Sequence, residues 1–263
     1  MKYALLGKTG MKVSKVGFGG IPIQQLDQEN ADKLILKAIE VGINFFDTAR
    51  GYTVSEELIG NALEGKREKV FIATKSMVRT KEEMQRDVEI SLRNLKTDYI
   101  DLYQLHNVGS PDELQKTLGK DGAYEALEKL RQDGVVKHIG ITSHKELVIE
   151  KAIETGFFET VQFPFSVVEK QGEDIFKLAF EKDIGTIAMK PMAGGALTQG
   201  RNALKFILES PYLSVAIPGM DSVEQVIENA GAMDDIALTK EERDKLIKEA
   251  KEANFTMMRI WGG

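Results

Sequence analysis

Three short apolar runs in this sequence each lead to an ionisable side chain, and a tyrosine follows the first of them in a Gly-containing loop. The runs are residues 43–46, 70–74 and 99–105. The four polar residues are Asp47, Tyr52, Lys75 and His106. Runs of this length indicate buried strands, and neighbouring parallel strands end at one edge of a sheet. We therefore expect the four side chains to share a site.

These residue types suit the reduction of a carbonyl group to an alcohol. A tyrosine is normally too weak an acid to release its proton at neutral pH, but a nearby ammonium group stabilises phenolate and lowers the pKa. Lys75 is a candidate for that ammonium group, Asp47 for its buried counter-ion, and His106 for the donor that orients a carbonyl oxygen. No side chain delivers hydride, so the reaction would require a nicotinamide cofactor.

The pattern of the whole chain predicts a scaffold of parallel strands for these residues. Strand-like and helix-like segments alternate eight times within 263 residues. This alternation predicts an α/β fold, a (β/α)8 TIM barrel with an N-terminal β-hairpin and a C-terminal extra helix. No linker or shift in composition divides the chain, so we expect residues 1–263 to form a single domain. The alternative is a doubly wound open sheet, whose Gly-x-Gly-x-x-Gly fingerprint fails at residues 17–22.

The predicted elements have the following bounds. The hairpin strands are residues 3–6 and 12–14, and the barrel strands are 16–19, 43–46, 70–74, 99–105, 136–141, 160–163, 185–189 and 214–217. The helices are 30–41, a second from 55, a third from 80, then 123–132, 143–155, 173–182, 202–209, 222–232 and 240–253. Ser55 and Thr80 are predicted as N-caps of the second and third helices.

Composition argues against several classes of function. The net charge of -6 and the lack of a basic patch argue against nucleic-acid binding. The absence of cysteine removes disulfides, thiolate metal sites and cysteine nucleophiles. The three histidines lack metal-ligand spacing, so we expect no metal site. No signal peptide or membrane-spanning run is found, so we expect a cytoplasmic protein with no membrane partner.

The sequence resembles the aldo-keto reductases. The segment Phe46-Asp47-Thr48-Ala49 with Tyr52 is similar to the motif of that family, and Lys75 and His106 follow in the family's order. The resemblance covers nearly the whole chain. It implies a cofactor, NADP(H) or NAD(H), and a small carbonyl substrate. It also implies that Tyr52 is the general acid, that Lys75 and Asp47 tune it, and that His106 positions the substrate.

The same resemblance implies residues that contact the cofactor and the substrate. Thr142, Ser143 and Gln162 match the residues that hold the nicotinamide amide, segment 190–197 matches the pyrophosphate side, and segment 217–229 matches the adenosine end. The implied cofactor-binding residues are Gly20, Asp47, Thr142, Ser143, Gln162, Met189, Lys190, Pro191, Met192, Gly194, Gly195, Leu197, Ile217, Gly219, Met220, Asp221, Ser222, Gln225, Glu228 and Asn229. The implied substrate-binding residues are Ile21, Tyr52, His106 and Asn107.

Three features depart from the family's pattern. Met189 stands where an aromatic side chain often stacks on nicotinamide, and a thioether can replace part of that contact. Asp221 stands near where NADPH-selective members carry Arg or Lys, and its carboxylate would repel a 2′-phosphate. The segments around Thr142 and Met192 are most similar to members with a C-terminal cysteine cluster for Fe–S, which this chain lacks.

Two other functions fit the same residues. One is a non-catalytic nicotinamide-binding scaffold on the same fold, against which the complete set of four polar residues argues. The other is a lyase in which Lys75 forms a Schiff base with a carbonyl substrate. The sequence leaves open the carbonyl compound, the choice between NADH and NADPH and the direction of the reaction. It is compatible with a monomer or a small homo-oligomer.

Overall fold

Strands and helices alternate along the chain. The computed structural model describes residues 1–234 and 237–261, with side chains described up to residue 253. The strands are β1 (Tyr3–Leu5), β2 (Lys12–Ser14), β3 (Phe18–Gly19), β4 (Phe45–Asp47), β5 (Phe71–Ser76), β6 (Ile100–Leu105), β7 (Val136–Thr142), β8 (Thr160–Pro164), β9 (Gly185–Met189) and β10 (Val215–Ala216). The helices are α1 (Gln28–Glu40), α2 (Ser55–Ala62), α3 (Lys81–Asn94), α4 (Pro111–Leu118), α5 (Ala123–Gln132), α6 (Glu146–Thr155), α7 (Gly172–Phe180), α8 (Gly200–Leu208), α9 (Val223–Gly231) and α10 (Lys240–Trp261).

Strands β3 to β10 form one parallel sheet in sequence order, and its two edges meet. Val16 pairs with Ala216, and Gly19 with Gly219, in parallel bridges that join the first barrel strand to the last. The close approach requires glycine at position 19, since a Cβ atom there would lie 2.6 Å from the carbonyl oxygen of Pro218. The predicted (β/α)8 TIM barrel is confirmed.

The N-terminal hairpin β1–β2 closes the amino-terminal end of the barrel. Leu6, Met11 and Val13 are buried and belong to the same apolar cluster as Phe45 and Leu102 in the barrel interior. Side chains from the hairpin therefore fill this end as a packed core. The opposite end, where the barrel strands finish, is the end at which TIM barrels carry their active sites. We call it the barrel mouth.

Helix α1 packs into the core through one apolar face. In α1 the buried residues Leu34, Ile35 and Ala38 recur at helical spacing, which turns them together toward the strands. Burying one leucine or isoleucine side chain stabilises a fold by about 1.5–3 kcal/mol. Within residues 1–234 and 237–261, no helix combines the length and the apolar composition needed to span a bilayer.

The structure differs from the prediction at one strand end and by one additional helix, and both differences affect the site. Strand β5 runs two residues past its predicted end at 74, so Lys75 lies inside the strand, in register with Gln104 of β6. Helix α4 was not predicted. The hydroxyl of Ser110 caps it by accepting from the amide of Glu113, and Pro111 occupies its first turn, which is an ordinary start signal for a helix.

The predicted helix cap at Thr80 is confirmed, and the predicted cap at Ser55 is wrong. The Thr80 hydroxyl accepts a hydrogen bond from the amide of Glu83 at the start of α3. Helix α2 begins at Ser55 itself, without a side-chain cap. The buried Ser55 hydroxyl donates to the carbonyl oxygen of Gly20 at 2.8 Å and accepts from the Thr48 hydroxyl at 2.9 Å. It therefore joins the ends of two barrel strands.

Candidate active site

The four polar residues predicted to meet do lie together at the barrel mouth. Asp47 ends β4, Lys75 is the fifth residue of β5, and His106 directly follows β6. Tyr52 lies in the loop between β4 and α2, with Lys75 Nζ 4.9 Å from the centre of its ring. The His106 ring stands edge-on to it, with 6.0 Å between ring centroids and 87° between ring planes.

Lys75 and Asp47 form a buried ion pair. Lys75 Nζ donates to Asp47 Oδ1 at 2.6 Å and to the carbonyl oxygen of Thr48 at 2.9 Å. Burial lowers the pKa of Lys75, but its hydrogen bonds and the attraction of Asp47 and Tyr52 outweigh burial and hold the pKa above its ordinary value. Burial raises the pKa of Asp47, and Lys75 opposes that rise. Lys75 therefore keeps its proton well beyond neutral pH.

The pKa of Tyr52 corrects one expectation. The sequence predicted that Lys75 would lower this pKa below its ordinary value. Lys75 does act in that direction, but burial of the phenol is the larger effect and Asp47 adds to it, so the pKa of Tyr52 is raised. Tyr52 therefore holds its proton at neutral pH, as a proton donor must.

His106 is neutral. Burial, followed by the positive charges of Lys75, Arg79 and His144, lowers its pKa to about 3. Its Nδ1 atom is enclosed and has no hydrogen-bond partner in the described part of the chain. A neutral imidazole carries a single N–H. An N–H enclosed at Nδ1 would lack an acceptor, so we assign that hydrogen to Nε2.

A buried carboxylate supports the loop that carries Tyr52. Glu56 accepts hydrogen bonds from Thr74 at 2.8 Å, from Ser91 at 2.7 Å and from Asn94 at 3.2 Å. It also forms an ion pair with Arg50 at 2.7 Å. The sequence analysis did not select Glu56, because this network depends on tertiary packing. Helix α2, strand β5 and helix α3 are thereby tied together behind the site.

The main chain of the same loop is tied to the strand that carries Lys75. The amide of Arg50 donates to the carbonyl oxygen of Lys75 at 3.0 Å. Within the loop, the amide of Tyr52 donates to the carbonyl oxygen of Ala49 at 3.0 Å. The backbone on both sides of the Tyr52–Lys75 contact is therefore fixed.

Thr142 and Ser143, predicted to hold the nicotinamide amide, are buried and already make local hydrogen bonds. Thr142 Oγ1 accepts from the amide of Asn107 at 2.8 Å. Ser143 Oγ donates to the carbonyl oxygen of Val108 at 2.7 Å and accepts from the amide of Lys145 at 3.0 Å. The Ser143 hydroxyl is therefore used within the fold, whereas Thr142 keeps its hydroxyl hydrogen.

Gln162 has donor capacity left. Its Oε1 accepts from Gln104 Nε2 at 2.9 Å, and its own Nε2 has a weak contact with the sulfur of Met189 at 3.9 Å. Gln104 is fully buried, and its Oε1 has no partner among the described residues. Sequence reasoning missed Gln104, which shares the inward direction of His106 by the two-residue period of a strand.

The predicted pyrophosphate segment is an open turn after β9. Lys190 is exposed there. Four residues of the turn have positive φ angles: Lys190, Ala193, Gly194 and Gly195. A Cβ atom at either glycine would meet nothing within 4 Å, so both face open space. Pro191 and Leu197 are buried and Met192 is half-buried, which makes them part of the support for the turn.

The predicted adenosine segment divides into exposed and buried residues. Gly219, Asp221, Gln225 and Glu228 are exposed, Ser222 is half-buried, and Ile217, Met220 and Asn229 are buried. The Ser222 hydroxyl caps α9 by accepting from the amide of Gln225. Gln225 Oε1 accepts in turn from the amide of Asp221 at 2.9 Å. Met220 packs in the main core, so its side chain is not available to a ligand.

The remaining predicted residues lie around the same mouth. Gly20 is buried against the carbonyl oxygen of Asp47, while Ile21 is 47% exposed directly after β3. Val54 and Met77, which sequence reasoning did not select, are 39% and 58% exposed in the loops after β4 and β5. The rim on this side is therefore apolar. No group of three or more His, Asp or Glu residues in the described ranges is arranged to hold a metal ion.

Comparison with known proteins places this chain in a family. A profile of the Aldo/keto reductase family matches residues 15–202. The chain is 28% identical to the uncharacterized oxidoreductase YqkF of Bacillus subtilis, covering 96% of this chain and 97% of that protein. It is 28% identical to an L-galactose dehydrogenase of Arabidopsis thaliana, covering 88% of each.

A solved structure gives the same result. The holo form of the aldo-keto reductase AKR11C1 from Bacillus halodurans matches with a TM-score of 0.83 and 28% identity, covering 96% of each chain. The family profile, the curated relatives and the solved structure agree. The chain is therefore an oxidoreductase that belongs to the aldo/keto reductase family.

Proposed function

We propose that this protein is an NAD(P)H-dependent reductase of aldehydes or ketones in which Tyr52 is the general acid. The observation that carries the proposal is the placement of the Tyr52 phenol, with Lys75 Nζ 4.9 Å from its ring centre and the neutral His106 ring at 6.0 Å. A proton donor, a cation and a neutral hydrogen-bond donor then lie close together. This set suits a carbonyl oxygen that becomes a hydroxyl group.

The donor groups along one side of the mouth fit a nicotinamide cofactor. Gln162 Nε2, whose hydrogen-bond contact among the described residues is the Met189 sulfur at 3.9 Å, is suited to donate to the carboxamide oxygen. The open turn at Gly194 and Gly195, next to the exposed Lys190, is suited to a pyrophosphate. When bound, the cofactor supplies the hydride that no side chain provides.

Side chains of the protein carry out the proton transfer. Tyr52 Oη gives its proton to the substrate oxygen, and the phenolate that forms is stabilised by the ammonium group of Lys75. His106 Nε2–H donates to the same oxygen and orients the carbonyl group. Asp47 acts through Lys75, whose ammonium group it holds by the 2.6 Å hydrogen bond.

The apolar rim supports an uncharged substrate. Ile21, Val54 and Met77 expose their side chains in the loops that follow three consecutive barrel strands. These side chains favour aldehydes and ketones that carry an apolar substituent. One relative is an L-galactose dehydrogenase, so the reverse oxidation of alcohols belongs in the same assays.

The ion pair counts against the Schiff-base lyase. An amine must lose its proton before it attacks a carbonyl carbon. The hydrogen bond to Asp47 and the raised pKa of Lys75 keep that proton in place. Borohydride reduction in the presence of a carbonyl substrate should therefore leave Lys75 unmodified.

The substitution Tyr52→Phe tests the proposal. It removes one oxygen atom and is expected to lower the rate of carbonyl-dependent NAD(P)H oxidation roughly 100- to 10,000-fold, the usual contribution of general acid catalysis. Cofactor affinity, measured by quenching of protein fluorescence, should change less than about twofold, because the phenol acts on the substrate. An unchanged turnover rate would refute the assignment. Cofactor binding without turnover of any carbonyl compound by the wild type would favour the non-catalytic scaffold.

A further inference from the structure

The backbone that carries His106 has an unusual conformation. Asn107, the next residue, has a φ of 51°, in the left-handed region, which asparagine adopts more often than most residues other than glycine. The amide of His106 donates to the carbonyl oxygen of Ser76 at 2.9 Å, and the amide of Asn107 donates to Thr142 Oγ1 at 2.8 Å. These contacts fix the amide side of the two residues.

One arginine fixes the carbonyl side. Arg79, in the loop after β5, donates from Nη2 to the carbonyl oxygen of His106 at 2.7 Å and to that of Asn107 at 3.2 Å. Its Nε donates to Glu113 Oε1 at 2.7 Å. The Arg79 side chain is 13% exposed. It therefore binds both carbonyl oxygens from a largely buried position.

Glu113 completes the contact from the other side of the loop. Its Oε2 accepts from the amide of Gly109 at 2.5 Å while its Oε1 accepts from Arg79. The Arg79–Glu113 pair thus holds the turn from His106 to Gly109 at both ends. Only a guanidinium group offers several donors in one rigid plane, so lysine cannot make the same set of bonds.

The same guanidinium group contributes to the charge around the imidazole. The ionisable groups that face His106 are Lys75 from β5, Arg79 from the next loop, His144 from the loop after β7 and the Tyr52 phenol. Arg79 is one of three positive charges that, together with burial, hold the pKa of His106 at about 3. Removing Arg79 therefore raises that pKa.

We infer that Arg79 is a positioning residue for the reaction, which holds the His106–Asn107 backbone and places a positive charge beside the imidazole, so that His106 can donate a hydrogen bond to the substrate. This inference rests on the proposed function for the role of His106. The clamp itself, defined as Arg79 with Glu113, can be tested without turnover.

The experiment compares Arg79→Met with Arg86→Met in the full-length protein. Arg86 is the matched control, because it pairs with Glu82 on an exposed face of α3. Arg79→Met is expected to lower kcat/KM for carbonyl reduction roughly 10- to 100-fold, the effect of a misplaced catalytic group, with cofactor affinity unchanged. In NMR titrations, with the signal assigned by a His106→Gln variant, the His106 midpoint should rise. Arg86→Met should match the wild type in both measurements.

The NMR titration separates this inference from the proposed function, because it needs no substrate. An unchanged His106 midpoint in Arg79→Met would overturn the inference even if activity fell, since a contact that only stabilises the fold behaves that way. Arg79→Lys is the second variant, for use also if Arg79→Met does not fold. It keeps the charge, so the midpoint should stay low while kcat/KM still falls at least fivefold. Full activity in Arg79→Lys would contradict the positioning role.

Discussion

The Nζ atom of Lys75 lies 2.6 Å from Oδ1 of Asp47, and the two residues are only 1% and 3% exposed. A charge pair in such a position has lost most of its hydration, so each group depends on the other. The pair also joins β4 to β5 at the point where the Tyr52 loop begins. Loss of this ion pair should therefore lower the free energy of unfolding as well as the activity.

Removing one member of the pair should destabilise the protein strongly. Lys75→Met leaves the Asp47 carboxylate buried without its partner, and we expect a loss of about 3–5 kcal/mol in the free energy of unfolding. The double variant Lys75→Met with Asp47→Leu removes both charges and should be more stable than the single variant. Urea denaturation measures the free energy of unfolding of both variants. A double variant no more stable than Lys75→Met would contradict the dependence of each charge on the other.

The pH dependence of the reaction follows from Tyr52 and His106. Reduction uses the protonated phenol, and the pKa of Tyr52 is raised above its ordinary value of 10.0, so kcat/KM for reduction should be level through neutral pH and fall only above that value. His106, with a pKa of about 3, should add no acidic limb between about pH 5 and 8. Oxidation of the alcohol uses the phenolate and should rise with pH over the same alkaline range. A loss of reduction with a midpoint below pH 9 in steady-state kinetics would show that another group controls the reaction.

The fold and the four polar residues were predictable because both depend on local periodicity. Alternating apolar strands and amphipathic helices specify a parallel sheet, and the end of each strand specifies what reaches the barrel mouth. Helix α4 was also predictable, because Ser110-Pro111 is a sequence pattern typical of the start of a helix. Strands, helices and strand ends can be predicted from local sequence, without knowing which distant residues are in contact.

The contacts around the site were not predictable, because they depend on tertiary packing. The pattern at Ser55 matches an N-cap, yet in the fold its hydroxyl is taken by Gly20 and Thr48. Arg79 is one of many arginines in the sequence, and only the approach of two loops places it on the His106 carbonyl oxygen. The pKa of Tyr52 had the wrong predicted direction because its burial is invisible in sequence.

The buried carboxylate of Glu56 should matter more than its neighbour on the same helix. Glu56→Gln cannot accept from Thr74, Ser91 and Arg50 together, and each buried donor left unpaired costs about 1–3 kcal/mol. We expect a lower free energy of unfolding and a lower kcat, since the Tyr52 loop rests on this network. Glu57→Gln, at an exposed position, is the control and should change stability by less than about 0.5 kcal/mol. Equal effects of the two substitutions in urea denaturation would rule out a special role for Glu56.

The choice between NADH and NADPH should depend on Asp221. The cap at Ser222 places this residue at the amino-terminal end of α9, where the helix dipole favours an anion such as a 2′-phosphate. The exposed carboxylate of Asp221 opposes that attraction, so we expect the wild type to bind NADH at least as tightly as NADPH. Asp221→Asn should raise the affinity for NADPH roughly three- to tenfold and leave that for NADH nearly unchanged.

Parallel fluorescence titrations with the two cofactors measure this preference at low and high ionic strength. Asp98→Asn is the control, because it makes the same change in net charge at an exposed position just before β6, at the amino-terminal end of the barrel. Its effect on both cofactors should be small. The gain in Asp221→Asn should shrink as salt is added, since exposed charges are screened within about 10 Å at 0.1 M salt. A gain that is equal for NADH and NADPH would mean that Asp221 does not act on the 2′-phosphate.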